Sequence, residues 1–416
     1  LLDAAVIDQS TAERIRAHYA ADAEQSGSRL MMALGILGAI ITGLGIILIV
    51  AHNWDDLSRL TKTIFAFVPM LLGQGLCVFG LLRKTPSRGL HESAAAFTVL
   101  AVGACISLVS QIYHIDGDLA SFLLTWMLLT LPVLYVMQSS ATALLYVAGI
   151  TYYGCQYGYF EYPRQAPYGY LLLMAGVLPF YLRKLKREKT GNFLSFLNWF
   201  IPISLTIVLG AFSDNAEEVL LLGYMSLFGL FSLIALLPPF AEAKPRNNGY
   251  GMLGMGGTLV LLLVLTYEEM WSEVWHLSMT RLWSLELLVA GLLTLAGTAL
   301  ILRLRHVGMG HRVEPQHYMF LFFVPLFVLG LTTNVSNAVT NFLVLYLGIV
   351  FIQKGTKANH LGWLNFGLLI IAMLAACRFF DDRITFALRG LMFIMVGAGF
   401  FVANYKLIKA RRKNEE

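Results

Sequence analysis

Ser107, Ser110, Gln111 and His114 stand at i, i+3, i+4 and i+7 at the end of an apolar run, and Asp116 and Asp118 follow at once. On a helix that spacing puts all four on one face. Hydroxyls, an amide and an imidazole side by side can hold a polar solute. An imidazole next to carboxylates can also act as a general base. Either use needs water or partner groups, because hydrocarbon does not solvate polar side chains. The face is therefore expected to look into a helix bundle or a wet cavity.

Other polar residues are expected at the same depth. They are Gln156 at the end of the fifth apolar span, Glu286 one turn inside the tenth, and Asn334, Asn337 and Asn341 at the start of the twelfth. Arg378 ends the thirteenth, and Arg389 stands inside the fourteenth. Glu286 and Arg389 are expected to pair, since an intramembrane ion needs a partner. His52, Asn53, Trp54 and Asp55 either line the mouth of this chamber or cap and anchor the flanking helices. The competing reading of the whole set is unrelated helix-to-helix hydrogen bonds and caps.

The elements that must position these residues are membrane-crossing helices. Of 416 residues, 57% are hydrophobic and 13% charged, with mean hydropathy +0.68. Soluble domains carry about 25% charged residues. Runs such as LMMALGILGAIITGLGIILIV (30–50) can cross a ~30 Å hydrocarbon core as helices. The expected fold class is an all-α polytopic transmembrane bundle of about 14 spans. Their limits are 30–50, 63–82, 94–113, 122–137, 141–159, 168–185, 193–212, 218–240, 250–268, 283–302, 318–332, 336–353, 361–378 and 385–407; counts of 12 or 13 also fit. The first run begins about thirty residues in and many follow, so no cleaved signal peptide is expected.

Charge sets the orientation. With the amino terminus inside, 23 of the 30 Lys and Arg fall in cytoplasmic segments and six in the opposite loops. Both termini are therefore expected in the cytoplasm. This placement also explains the net charge of +5 without nucleic acid. Residues 1–29 read as a short amphipathic cytoplasmic helix with a capping box from Ser10 to Glu13, 30–408 as the membrane domain, and 409–416 as a basic tail. The tyrosines of 151–163 and the tryptophans of 268–283 are expected in an outer interfacial belt. Cys77, Cys105, Cys155 and Cys377 are isolated inside apolar runs and read as small buried groups. His306, His311 and His317 have spacings that suit no common metal signature, so no metal site is expected, and no cofactor is identified.

Several stretches resemble an uncharacterised bacterial family of multi-spanning inner-membrane proteins, domain of unknown function 2157. They are AERIRAHY, the glycine-rich first span ending AHNWDDLS, SQIYHIDGD followed by LLTWMLLTLPVLYV, and, at the carboxyl end, NFLVLYLGIVFIQKG, RFFDD and LRGLMFIMVGAGFFVAN. The resemblance implies the bacterial cytoplasmic membrane and a membrane-associated protein partner. It carries no activity.

Three function classes fit. The first is a transporter or lipid- or small-solute-handling protein with an outward-facing polar cavity. The second is a non-catalytic scaffold or sensor working through a partner. The third is a membrane-embedded transferase on a lipid-linked substrate, with His114, Asp116 or Asp118 as base. Enzyme activity is not favoured, because no catalytic motif stands in context.

Overall fold

The computed structural model describes residues 8–11, 13, 54, 56–83, 88–160, 164–187, 192–213, 216–241, 243–275, 284–333, 335–379 and scattered positions between 387 and 401. All regular elements among them are helical. Those of eight or more residues are α1 (Arg59–Leu82), α2 (Arg88–Tyr113), α3 (Leu119–Met137), α4 (Ser140–Cys155), α5 (Tyr168–Arg187), α6 (Asn192–Ala211), α7 (Leu220–Ile234), α8 (Gly249–Val264), α9 (Glu268–Trp275), α10 (Leu285–His306), α11 (Met319–Gly330), α12 (Ser336–Lys357) and α13 (Leu361–Phe379).

Each expected span from 63–82 to 361–378 coincides with one of these helices, and α9 is additional. Among the described residues, eight helices are long and apolar enough to cross a membrane. The expected spans 30–50 and 385–407 lie mostly outside the described residues. Several helices come out shorter than their sequence spans; α7 has 15 residues where 218–240 was expected. The 250–268 run ends its helix at Val264, and α11 has only 12 residues. At 1.5 Å per residue α8 and α11 measure about 24 Å and about 18 Å, short of a ~30 Å core.

The chain falls into two units. The first comprises Leu1–Pro69 and Leu108–His114. Here Asp8, not Ser10, is the cap: its carboxylate accepts from Thr11 N at 3.2 Å and from the Ser10 hydroxyl at 2.6 Å. The reason is geometric, since Gln9 and Ser10 are already helical and the cap must precede them. Ser58 accepts from Thr61 N to start α1, and the Thr63 hydroxyl meets Tyr113 Oη at 3.0 Å.

The second unit comprises Met70–Ser107 and Ile115–Glu416. Its α7 is buried on two sides. Leu227, Phe228 and Phe231 face a core shared with α3 to α6, while Met225 and Leu233 face a core shared with α8 and α10 to α13. Small residues permit the closest crossings. A methyl built on Gly254 would lie 2.5 Å from Ser232 N, and one on Gly367 would lie 2.6 Å from Gly348 O and Ile352 N. Only hydrogen fits there, so α7 meets α8, and α12 meets α13, backbone to backbone.

The loop QSS (138–140) is held by Glu92. That carboxylate accepts from Ser139 Oγ at 2.6 Å, Ser140 N at 3.1 Å and Ala141 N at 2.8 Å. It occupies the positive end of α4, where a negative charge is stabilised by the helix dipole.

Candidate functional site

The site is built where α8 stops early. Leu265 ends the helix, Thr266 N and Tyr267 N turn back onto Leu263 O and Val264 O, and the last carbonyls are left without helical partners. Three elements supply donors. From α12, Asn337 Nδ2 donates to Thr266 O at 2.8 Å and Asn341 Nδ2 donates to the same oxygen at 3.3 Å. From α9, Trp271 Nε1 donates to Leu265 O at 2.7 Å. From α13, Arg378 donates to Thr266 Oγ1 at 3.1 Å, and its guanidinium lies 5.0 Å from the Tyr267 ring centroid. Thr266 Oγ1 in turn donates to Leu263 O at 2.6 Å.

Much of this cluster is buried, with Asn337 and Asn341 half-buried. Thr266, Ser336 and Thr340 are fully buried, Trp271 is 3% exposed and Arg378 is 8% exposed. A cation at the carboxyl end of a helix is stabilised by the negative end of the helix dipole. Amide and guanidinium donors suit an oxygen-rich, anionic group. Trp271 is therefore not part of an interfacial belt. It packs against Phe323 and Gly330, because its indole N–H is needed by a backbone carbonyl. Trp275, one turn on, is 47% exposed.

The structure thus gathers Asn337, Asn341 and Arg378 around Thr266. Glu286 is 1% exposed on the first turn of α10 and accepts from the buried Ala216 N at 3.2 Å, apart from the Thr266 group. Arg389, Asn334, His52, Asn53 and Asp55 lie outside the described residues. Trp54 is half-buried with Lys62 Nζ 5.8 Å above its ring. Gln156 is half-buried at the start of a π-turn, Gln156–Phe160, that extends α4.

The 107–118 stretch takes a different form. Ser107 and Ser110 are half-buried and Gln111 is exposed. The helix ends at Tyr113, and His114 adopts a left-handed φ of 50°, so it leaves the helical face. Asp116 and Asp118 are exposed, and Asp118 caps α3 by accepting from Ser121 N at 2.7 Å. Those hydrogen bonds from Ser121 hold the Asp118 carboxyl below the ordinary carboxylate value.

A second polar group escaped the sequence reading. Glu314 pairs with Lys354, Gln316 Nε2 donates to the same carboxylate, and Lys354 Nζ lies 4.5 Å over the Trp363 ring. His317, 5% exposed, accepts from Glu314 N at 3.0 Å through Nδ1 and completes a capping box with Glu314. The Glu-x-x-His spacing after a loop was the available signal.

Residues 1–143 match the model of domain of unknown function 2157, a family of predicted membrane proteins. The match takes in the 107–118 stretch and stops short of Thr266, Glu314 and their partners. No curated protein and no solved structure matches the chain. With eight long apolar helices among the described residues, the chain is an integral membrane protein with several membrane-spanning helices.

Proposed function

We propose that the chain is a transporter or lipid- or small-solute-handling protein of the bacterial inner membrane, with about 14 spans, both termini in the cytoplasm and an outward-facing polar site at the broken end of α8. The observation that carries this reading is the convergence of Asn337, Asn341 and Arg378 on Thr266. Transporters often build sites at broken helices, where half-helix N-termini meet anionic groups and C-terminal ends meet cations; at the carboxyl end of α8 it is the Arg378 guanidinium that would meet an anion. An intramembrane ionisable residue is itself a functional signal. The segregation of Lys and Arg supports an outward position for this end. The donors present favour a carboxylate- or phosphate-bearing solute or headgroup.

The test is native mass spectrometry of the full chain taken directly from its membrane into nanodiscs. Wild type should retain an anionic lipid or solute that Arg378→Gln loses and Asn341→Ala retains less well. Identical adducts on wild type and Arg378→Gln would remove the basis of the proposal. A co-purifying protein with no small-molecule adduct would favour the scaffold class instead.

A further inference from the structure

The residues that lead into α11 carry an amide whose hydrogen-bonding capacity is only half filled. Gln316 Nε2 donates to the Glu314 carboxylate, which Lys354 also holds. That contact fixes which way the amide faces, because the reverse flip would set an oxygen against a carboxylate. Gln316 Oε1 is then a buried acceptor with no partner among the described residues. Such an acceptor is costly, so the position selects a donor.

Gln316 lines a small cavity between α7, α8, α12 and α13. Its volume is about 20 Å³, where a single buried water needs roughly 10–15 Å³. There is room for one water molecule, two at most, and none for an alkyl chain or a sugar. Ser232 of α7 and Thr258 of α8 also line the space. Their hydroxyl protons are committed to Gly229 O and Gly254 O, so each oxygen can only accept. Gln316 Oε1, Ser232 Oγ and Thr258 Oγ1 therefore offer lone pairs and no proton. Among the described residues that line the cavity none is ionisable. A cation would thus exchange its hydration for neutral oxygens alone, which is unfavourable. Water brings two protons and no charge.

We propose that this cavity binds a water molecule that donates one proton to Gln316 Oε1 and the other to a hydroxyl oxygen of α7 or α8. Two such partners are enough to hold a buried water. The bridge ties the Lys354–Glu314–Gln316 chain, which starts on α12, to the α7–α8 pair through walls that are otherwise apolar. None of Thr266, Asn337, Asn341 and Arg378 lines the cavity, so this site stands or falls independently of the outward-facing one.

X-ray hydroxyl-radical footprinting of the full chain in nanodiscs tests it, since radiolysis of a bound water labels the side chains beside it. Phe351 lines the cavity and Phe327 does not, though both are 3% exposed. In wild type Phe351 should be hydroxylated several-fold faster than Phe327. Gln316→Leu should lower the Phe351 rate to that of Phe327. Combining Gln316→Leu with Ser232→Ala and Thr258→Val should lower the unfolding midpoint by less than the sum of the separate losses, because either side alone releases the same water. Equal rates for Phe351 and Phe327 in wild type overturn the proposal. So does an unchanged Phe351 rate in Gln316→Leu, and so do additive midpoint losses. If the variants fail to fold, the wild-type rates alone decide.

Discussion

The Thr266 cluster and the Glu314 group are both polar islands in the same unit, yet they close differently. At Thr266, side-chain donors meet backbone acceptors: two asparagines and a tryptophan satisfy carbonyls at the end of α8, and an arginine holds the Thr266 hydroxyl. At Glu314, side chain meets side chain, and the chain of contacts ends in an amide oxygen beside a void. The first arrangement stabilises a helix break that hydrocarbon would otherwise penalise. The second fixes a loop and leaves one acceptor over. Burial is common to the two groups; what distinguishes them is whether backbone or side-chain atoms close the network.

The largest effect is expected from removing the close crossing on which the first cluster depends. Gly367→Ala places a methyl 2.6 Å from two backbone atoms of α12. It should separate α12 from α13 and draw Arg378 off Thr266. The cost should be about 1–3 kcal/mol or more, read as a lower unfolding midpoint in nanodiscs. A wild-type midpoint would mean that the cluster does not need this crossing.

Truncating Asn337 and Asn341 together to alanine leaves Thr266 O buried without side-chain donors. A loss of about 1–3 kcal/mol is expected, measured the same way. No loss would show that the helix end is solvated and that the contrast with Glu314 is false.

Glu286→Leu strips the buried Ala216 N–H of its acceptor, for about 1–3 kcal/mol. Glu286→Gln keeps an acceptor and should cost less. If Gln is as damaging as Leu, the negative charge itself is required, as pairing with Arg389 predicts.

The smallest effect belongs to pH. Burial raises the Glu314 pKa, but the Lys354 and Gln316 hydrogen bonds outweigh it and hold the carboxyl below its ordinary value. A depressed folded pKa means that the stabilisation is present above the unfolded value and is lost as pH falls through the folded one. Melting should therefore be flat near neutrality and fall on acidification below about pH 4.5, with Glu314→Gln reducing that fall. An unchanged acid slope in Glu314→Gln would mean that the Lys354 pair does not hold this loop.

Sequence spacing was a good guide to helices and a poor one to their ends. The i, i+3, i+4, i+7 pattern at 107–114 assumed that the helix continued. The Asp118 cap on α3 and the left-handed His114 broke it one residue early. Asn337 and Asn341 were legible because they share a helical face, and Arg378 because it is charged at a span end. Thr266 was not, since its role belongs to a backbone carbonyl, which every residue possesses. Glu314 and Lys354, forty residues apart, carry no mark of each other.

Apolar run length and the distribution of Lys and Arg suffice to specify a helical membrane chain, because hydrocarbon demands internally bonded backbone and basic loops resist transfer. Where α8 stops, what caps it, and which amide oxygen is left beside a void were decided by packing. Those outcomes depend on which helices approach closely enough to share hydrogen bonds, and that is settled only when glycine crossings and side-chain volumes are set against one another in three dimensions.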